Sequence, residues 1–332
     1  MNFVRDEVTV SVPASSANLG PGFDALGLAL ELRDEVSVRA TTGATHVTVE
    51  GEGAGKVPED ETNMVVQALR AGLESVGASQ IGIEMHCVNR VPHGRGLGSS
   101  SAALVSGLAA AGALLEPGVL DTEAIFQLAV QMEGHPDNAA PAVYGGAVVG
   151  WMEPSANGGT PRAYAQHFEV SPQVRLTVLI PEFELATSKA RGLLPESVPH
   201  RDAAFNAGRA ALLPLALAKY PELLYFATED RLHQEYRREG MPQSLELVDR
   251  LRAAGAPAAI SGAGPTVIVF DHLDPATRQD LEHLGWKPRE LPVAPQGIIA
   301  REPQGTTTSS IQSRIQAPPK PVNKTLPRQE RQ

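Results

Sequence analysis

At 332 residues the chain is long enough for two domains, each able to bury its own core. A net charge of −10 argues against a nucleic-acid surface, and the single cysteine, Cys87, excludes an internal disulfide and suits a reducing cytoplasm. Arg5, Asp6 and Glu7 have no apolar segment behind them, and the longest apolar run, after Gly98, is too rich in Ser, Gly and Ala for a bilayer span, so neither a signal peptide nor a membrane is expected.

In chain order, Val8 to Val12 alternates as a strand and leads into Pro13 to Asp24, a polar stretch rich in Gly and Pro that reads as a loop. Asn18 and Asp24 sit there among small residues that leave their side chains free to meet a ligand. Glu35 to Val38 and His46 to Glu50 alternate as further strands, joined through the flexible Gly51 to Gly55. Thr62 or Asn63 then caps a helix whose apolar face is Met64, Val65, Ala68, Leu69, Gly72 and Leu73.

Ile81 to Val91 has strand alternation and Ala102 to Leu115 has helical character; between them lies a loop with glycines at 94, 96 and 98 followed by three serines. Alternate glycines let backbone amides approach a ligand, and the serines open a helix whose free N–H groups and positive dipole end favour an anion. That pattern points to phosphate, with a plain tight connection as the other reading. A Walker loop fits poorly because no Lys follows a glycine, and so does a dinucleotide fingerprint, which would want glycine where Ser99 stands.

Pro117-Gly118 breaks the chain, and Asp121 starts another helix with Ile125, Leu128, Ala129 and Met132 inward. The segment Glu133 to Pro141 bunches Glu133, His135, Asp137 and Asn138 after that helix, a poor core and a good site. Glu133 suits magnesium, a hard cation that takes one or two protein oxygens beside nucleotide phosphates; His135 alone reads as a hydrogen-bonded loop histidine. A turn at Asn157 to Pro161 marks the domain boundary. A strand at Leu176 to Ile180 follows, then helices at Ala203 to Lys219, around Pro221 to Tyr236, and at Gln243 to Ala253. Ala258 to Phe270 is a second glycine turn feeding an apolar strand. From Arg301 to Gln332 the composition of Pro, Thr, Ser and Gln predicts a disordered tail.

The string from Pro92 to Ala102 resembles the ATP loop of the galactokinase, homoserine kinase, mevalonate kinase and phosphomevalonate kinase superfamily. Ala14 to Asp24 and Glu133 to Asn138, followed by Gly145-Gly146-Ala147, narrow the resemblance to the homoserine kinase family. It covers about residues 7 to 300. The implied fold is α+β in two domains, an N-terminal nucleotide domain over 1–160 and a ferredoxin-like C-terminal domain over 161–300, with the tail 301–332 lacking a counterpart.

The resemblance implies ATP contacts from Pro92, His93, Gly94, Arg95, Gly96, Leu97, Gly98, Ser99, Ser100, Ser101 and Ala102, with Asn63 near the base. It implies magnesium on Ser100 and Glu133, and catalytic or substrate roles for Asn18, Asp24, Thr187 and Arg191. Substrate contacts extend to His135, Asp137, Asn138, Arg237, Gly262 and Gly264. Two departures are visible: some relatives carry the magnesium carboxylate farther upstream, where this chain has Gln127, and Glu235 stands where the family commonly has proline. The implied activity is cytoplasmic, ATP-dependent phosphorylation of L-homoserine, with a homodimer left open. A mevalonate-type kinase, or a non-catalytic ligand-binding relative, stands as the alternative.

Overall fold

The computed structural model describes residues 3–155 and 158–302. Strands β1 (Glu7–Asn18) and β2 (Gly22–Thr41) form a long antiparallel pair. Val8, Val10 and Val12 point every second side chain into the core, while Thr9 and Ser37 pair their hydroxyls at 2.9 Å on the other face. The expected loop at Pro13–Asp24 is a correction, because β1 runs on to Asn18 and only Leu19–Pro21 separates it from β2. Ala14, Ser15, Ser16 and Ala17 are all fully buried, so the alternation that marks a strand disappears, and register shifts after Pro13 and Ala17 accommodate the break.

Strand β3 (His46–Gly51) runs parallel to β4 (Gly82–Asn89), which pairs antiparallel with β2. Helices α1 (Met64–Ser75), α2 (Ser99–Leu114), α3 (Thr122–Glu133) and α4 (Pro136–Tyr144) follow the loops between strands, and β5 (Ala147–Glu153) joins β2 to β6 (Arg162–Phe168). Val66, Leu69, Val105, Leu108 and Phe126 from the helices pack on Val10, Val38 and Ile83 of the sheet. α1 and α2 touch at Gly107, where a β-carbon would lie 2.2 Å from the Val65 carbonyl oxygen.

Asp121 caps α3 by accepting from the Ala124 amide at 2.8 Å, as its residue type predicts. Ile125 and Ala129 face inward, but Phe126 and Val130 do too, while Met132 is exposed. The stretch expected as a loop after Glu133 opens α4 instead, with Pro136 at its first turn and Asp137 beside it, a helix-start signature.

The second sheet comprises β7 (Thr177–Ile180), β8 (Ala258–Ile260), β9 (Val267–Val269) and β10 (Lys287–Glu290) in the antiparallel order β10-β7-β9-β8. Helices α5 (Thr187–Gly192), α6 (His200–Ala218), α7 (Leu224–Ala227) and α8 (Pro242–Ala253) connect β7 to β8, and α9 (Pro275–His283) connects β9 to β10. This path and strand order are ferredoxin-like. The single helix expected around Pro221–Tyr236 is broken: the Asp230 carboxylate accepts from the amides of Leu232, His233 and Gln234, ending helical pairing there. A 3₁₀ turn over Glu235–Gly240 follows.

The expected division at residue 160 falls inside the β5–β6 hairpin, where Glu153 pairs with Arg162 and Ala147 with Phe168. The chain returns to the first sheet through β11 (Ile299–Arg301), which pairs with β1; Arg301 is thus a strand residue opposite Thr9, not the start of a tail. Residues 303–332 of the expected tail, and Asn157 of the expected turn, lie outside the described residues. Leu28 and Leu30 of β2, Leu97, Val178 of β7 and Leu213 and Leu217 of α6 share one core, which joins the two sheets and fixes the groups between them.

Candidate active site

Gly94, Gly96 and Gly98 take φ of 63°, 73° and 68°, the left-handed region that glycine alone enters without strain. The buried Asp34 carboxylate accepts from the amides of Arg90 and Val91 at 2.6 and 2.9 Å and fixes the entry to the loop; burial pushes its carboxyl up. The loop is also fastened to the second domain. Ser261 Oγ donates to the Gly96 carbonyl at 2.6 Å and the Leu185 amide to the Gly94 carbonyl at 2.9 Å. Arg95 donates to the carbonyls of Pro181 and Glu182, so its guanidinium serves the domain junction. Pro92 and Leu97 are buried, and His93 packs under Gly53. Gly98, Ser99 and Ser100 stand at the open N-terminus of α2, whose first turn carries no acidic residue.

The two residues expected to hold magnesium, Ser100 and Glu133, make their side-chain contacts to different partners. Ser101, fully buried, hydrogen-bonds both oxygens of Glu133, whereas the exposed Ser100 has its hydroxyl 3.6 Å from Met64 Sδ. Successive helical residues diverge by about 100°, so only one of the two serines can face α3. Burial pushes the Glu133 carboxyl up to about 7, against the opposing pull of the Ser101 hydroxyl. Gln127 is turned away, its amide pairing with the Ala163 backbone on β6 at 2.7 and 3.1 Å.

His135 Nδ1 lies 2.5 Å from Asp137 Oδ1. Burial opposes its charge, but this hydrogen bond and the Asp137 charge outweigh it, and the imidazole is held above its ordinary range. Asn138 Oδ1 accepts from Ser15 Oγ at 2.9 Å, a partner the polar-loop reading missed. Asn63 caps α1, accepting from the Val65 amide and donating to the Pro58 carbonyl, so both ends of its side chain serve the protein.

At the far end, Asn18, Leu19 and Asp24 adopt φ of 67°, 51° and 55°, rare for residues with a β-carbon and characteristic of strain held at functional sites. Asn18 braces the turn: its Oδ1 accepts from the Asp24 amide and its Nδ2 donates to the Gly262 carbonyl, each at 2.9 Å. Asp24 forms a two-point ion pair with Arg191. Arg237 is buried and also meets Phe23, the guanidinium carbons of Arg191 and Arg237 lying 5.7 and 5.6 Å from the ring centroid. Burial, reinforced by Arg191, lowers Arg237 to about 10. Nothing in the sequence pattern singled out Phe23. Gly264 packs against Met241, and Thr187 is exposed at the first turn of α5. Asp24, distant in sequence from His135 and Asp137, joins them so that each of the three brings one ligand atom within 4.8 Å of the others.

The family model of the GHMP kinases N-terminal domain matches residues 63–146, and that of the GHMP kinases C-terminal domain matches residues 215–279. A homoserine kinase of Streptomyces coelicolor is 50% identical over 293 residues, 87% of this chain and 93% of its own length. One of Corynebacterium urealyticum is 48% identical over 293 residues, 88% of this chain and 95% of its own. The chain belongs to the homoserine kinase family.

A crystal structure of a homoserine kinase from Cytophaga hutchinsonii superposes with a TM-score of 0.76 at 26% identity, covering 91% of this chain and 99% of that one. In this homoserine kinase fold the glycine loop offers amides and a helix N-terminus to an anion, while Asp24, Arg191 and Arg237 offer charges of both signs. Glu133, His135 and Asp137 lie close enough to Arg191 to feel its charge. The fixed dipoles of the loop and a mixed-charge cluster around Asp24 suit transfer of a phosphoryl group to a small zwitterion. Among the described residues no helix is long and apolar enough to cross a membrane.

Proposed function

We propose that this chain transfers the γ-phosphoryl group of ATP to the side-chain hydroxyl of L-homoserine, giving O-phospho-L-homoserine and ADP on the route to threonine, in the cytoplasm. The observation that carries the reading is the Asp24–Arg191 pair with Arg237 beside the same Phe23 ring. An α-amino acid presents a carboxylate and an ammonium side by side. Arg191 and Arg237 supply permanently charged planar donors for the first, and Asp24 an acceptor for the second. A sugar or an isoprenoid alcohol would leave these charges without ligand partners. The loop from Gly94 to Ser100 holds the phosphates through its amides and the α2 dipole.

Magnesium fits the donor types, since Ser100 and Glu133 carry hard oxygens near the start of α2, and a shared ion would take the Glu133 carboxylate from its Ser101 hydrogen bonds. When bound it would neutralise phosphate charge. The residues themselves position: Ser101 sets the rotamer of Glu133, and Asn18 holds Asp24 in its left-handed turn. ADP release measured with homoserine, mevalonate, galactose or no acceptor tests the assignment. Turnover with homoserine alone is expected, and turnover with mevalonate but not homoserine would refute it.

A further inference from the structure

His233 is fully buried and lies outside the set of groups that meet ligand. Its Nε2 is 2.7 Å from the Gly20 carbonyl and its Nδ1 3.1 Å from Arg237 Nη1. A carbonyl only accepts and a guanidinium only donates, so the ring is neutral, protonated at Nε2, with the Nδ1 lone pair turned to Arg237. Burial favours that neutral form. The Asp230 carboxylate fixes the ring's backbone by accepting from the His233 amide at 3.0 Å, and Phe23 stacks on the ring with centroids 5.1 Å apart.

The consequence falls on Arg237. Its two hydrogen bonds, to His233 Nδ1 and to the Gly262 carbonyl, are both made by Nη1, and its buried Nε has no partner among the described residues. A guanidinium bound at one corner leaves its opposite edge as a donor fork. An unpaired buried N–H is costly, which marks this edge as made for an acceptor.

We propose that His233 is a positioning residue for substrate specificity: it ties the Gly20 turn to Arg237 and rotates the guanidinium so that its Nε edge receives the amino-acid carboxylate. The inference rests on the proposed homoserine reading. It differs from a simple packing role because only one of the two ring nitrogens orients Arg237.

Three variants separate the two nitrogens. His233→Phe keeps shape and stacking and loses both hydrogen bonds. His233→Gln can reach the Gly20 carbonyl but offers Arg237 nothing at the Nδ1 position. His233→Asn places its amide oxygen near Nδ1 and gives up Gly20. The KM for homoserine, the calorimetric Kd for ATP and the melting temperature are measured for each, after wild type has been shown to act on homoserine.

Phe and Gln are expected to raise the homoserine KM about tenfold or more, with ATP Kd within about twofold of wild type, and Asn to recover most of the loss. If Phe does not fold, the Gln and Asn pair decides. Equal homoserine KM in Gln and Asn, or a KM that follows melting temperature and ATP affinity alike, would overturn the positioning role and leave the substrate assignment standing. A wild-type enzyme inactive on homoserine removes the assignment itself, and this inference with it.

Discussion

Arg191 and Asp24 hold each other at 2.7 Å (Nη2 to Oδ1) and 3.2 Å (Nη1 to Oδ2), so that the protein itself carries a charge pair like the one an α-amino acid brings. Side-chain exposures of 37% and 36% leave both groups open to water. A zwitterion can therefore exchange with the pair, its carboxylate taking Arg191 and its ammonium taking Asp24, with no charge left unmatched.

The pair should accordingly matter more for binding than for folding. Exposed ion pairs contribute about 0 to 1 kcal/mol, so Arg191→Lys and Asp24→Asn are expected to move the melting temperature by only a few degrees. Lys keeps the charge and loses the two-point fork, and the homoserine KM should rise about tenfold, with ATP affinity little altered. Steady-state kinetics and differential scanning calorimetry check both halves. An unchanged homoserine KM in both variants would remove the pair from substrate recognition.

Gly98 is constrained by the protein before any phosphate arrives. A β-carbon there would lie 1.9 Å from Ser15 Oγ, itself bonded to Asn138. Gly98→Val is therefore expected to destabilise the fold, by about 1 to 3 kcal/mol for the overpacking, as well as to weaken ATP binding. At Gly94 the atoms nearest a β-carbon belong to Glu184, at 3.4 Å and beyond, and Gly94→Ala should cost about 1 to 2 kcal/mol, through its positive φ. Urea unfolding of both variants, with Ser15→Ala added to the Gly98 change, checks the mechanism: the double variant should recover part of the loss.

How much of this was legible depended on whether a local pattern met a local cause. The glycine loop, the α2 helix, the Asp121 cap and the amphipathic face of α1 follow from neighbours in sequence and stand where the pattern places them, except that Met64, expected on that face, is exposed at the helix start. The strand through Ala14–Asn18 was hidden because both its faces are covered, which erases alternation. The break after Ala227 was hidden because one carboxylate, Asp230, captures three amides. In the candidate site, the family motifs name Asp24 and Arg191 separately, and the structure brings the two together. The choice between Ser100 and Ser101 was not legible, since it depends on how α2 is rotated against α3.

That rotation separates the two serines by function. Ser101 is buried against Glu133, so Ser101→Ala removes the hydroxyl that offsets the carboxylate's burial and should cost stability, about 1 to 3 kcal/mol. Ser100 is exposed, with its hydroxyl 3.6 Å from Met64 Sδ; Ser100→Ala should leave stability unchanged and lower turnover if its oxygen holds magnesium. Thermal melts beside kcat values distinguish them. A stable, fully active Ser100→Ala would move the metal to another donor set.

Glu133 gives the site a pH signature whose sign is fixed by burial. Its carboxyl lies at about 7 in the folded protein against an ordinary value of 4.5, so between these values the folded state binds more protons than the unfolded chain. Stability from this group is fully present below about 4.5 and is lost as pH rises towards 7, by about 3 kcal/mol at most. His135, also raised, acts in the same direction and extends the loss above its ordinary value of 6.5. Glu133→Gln removes the carboxyl titration, so its melting temperature should fall less than that of wild type from pH 4.5 to 7. Magnesium bound to the carboxylate would favour the ionised form and flatten the wild-type curve in the same window. Melting curves at half-unit pH steps, with and without magnesium, test both statements, and parallel wild-type and Glu133→Gln curves would show that the carboxyl does not titrate there.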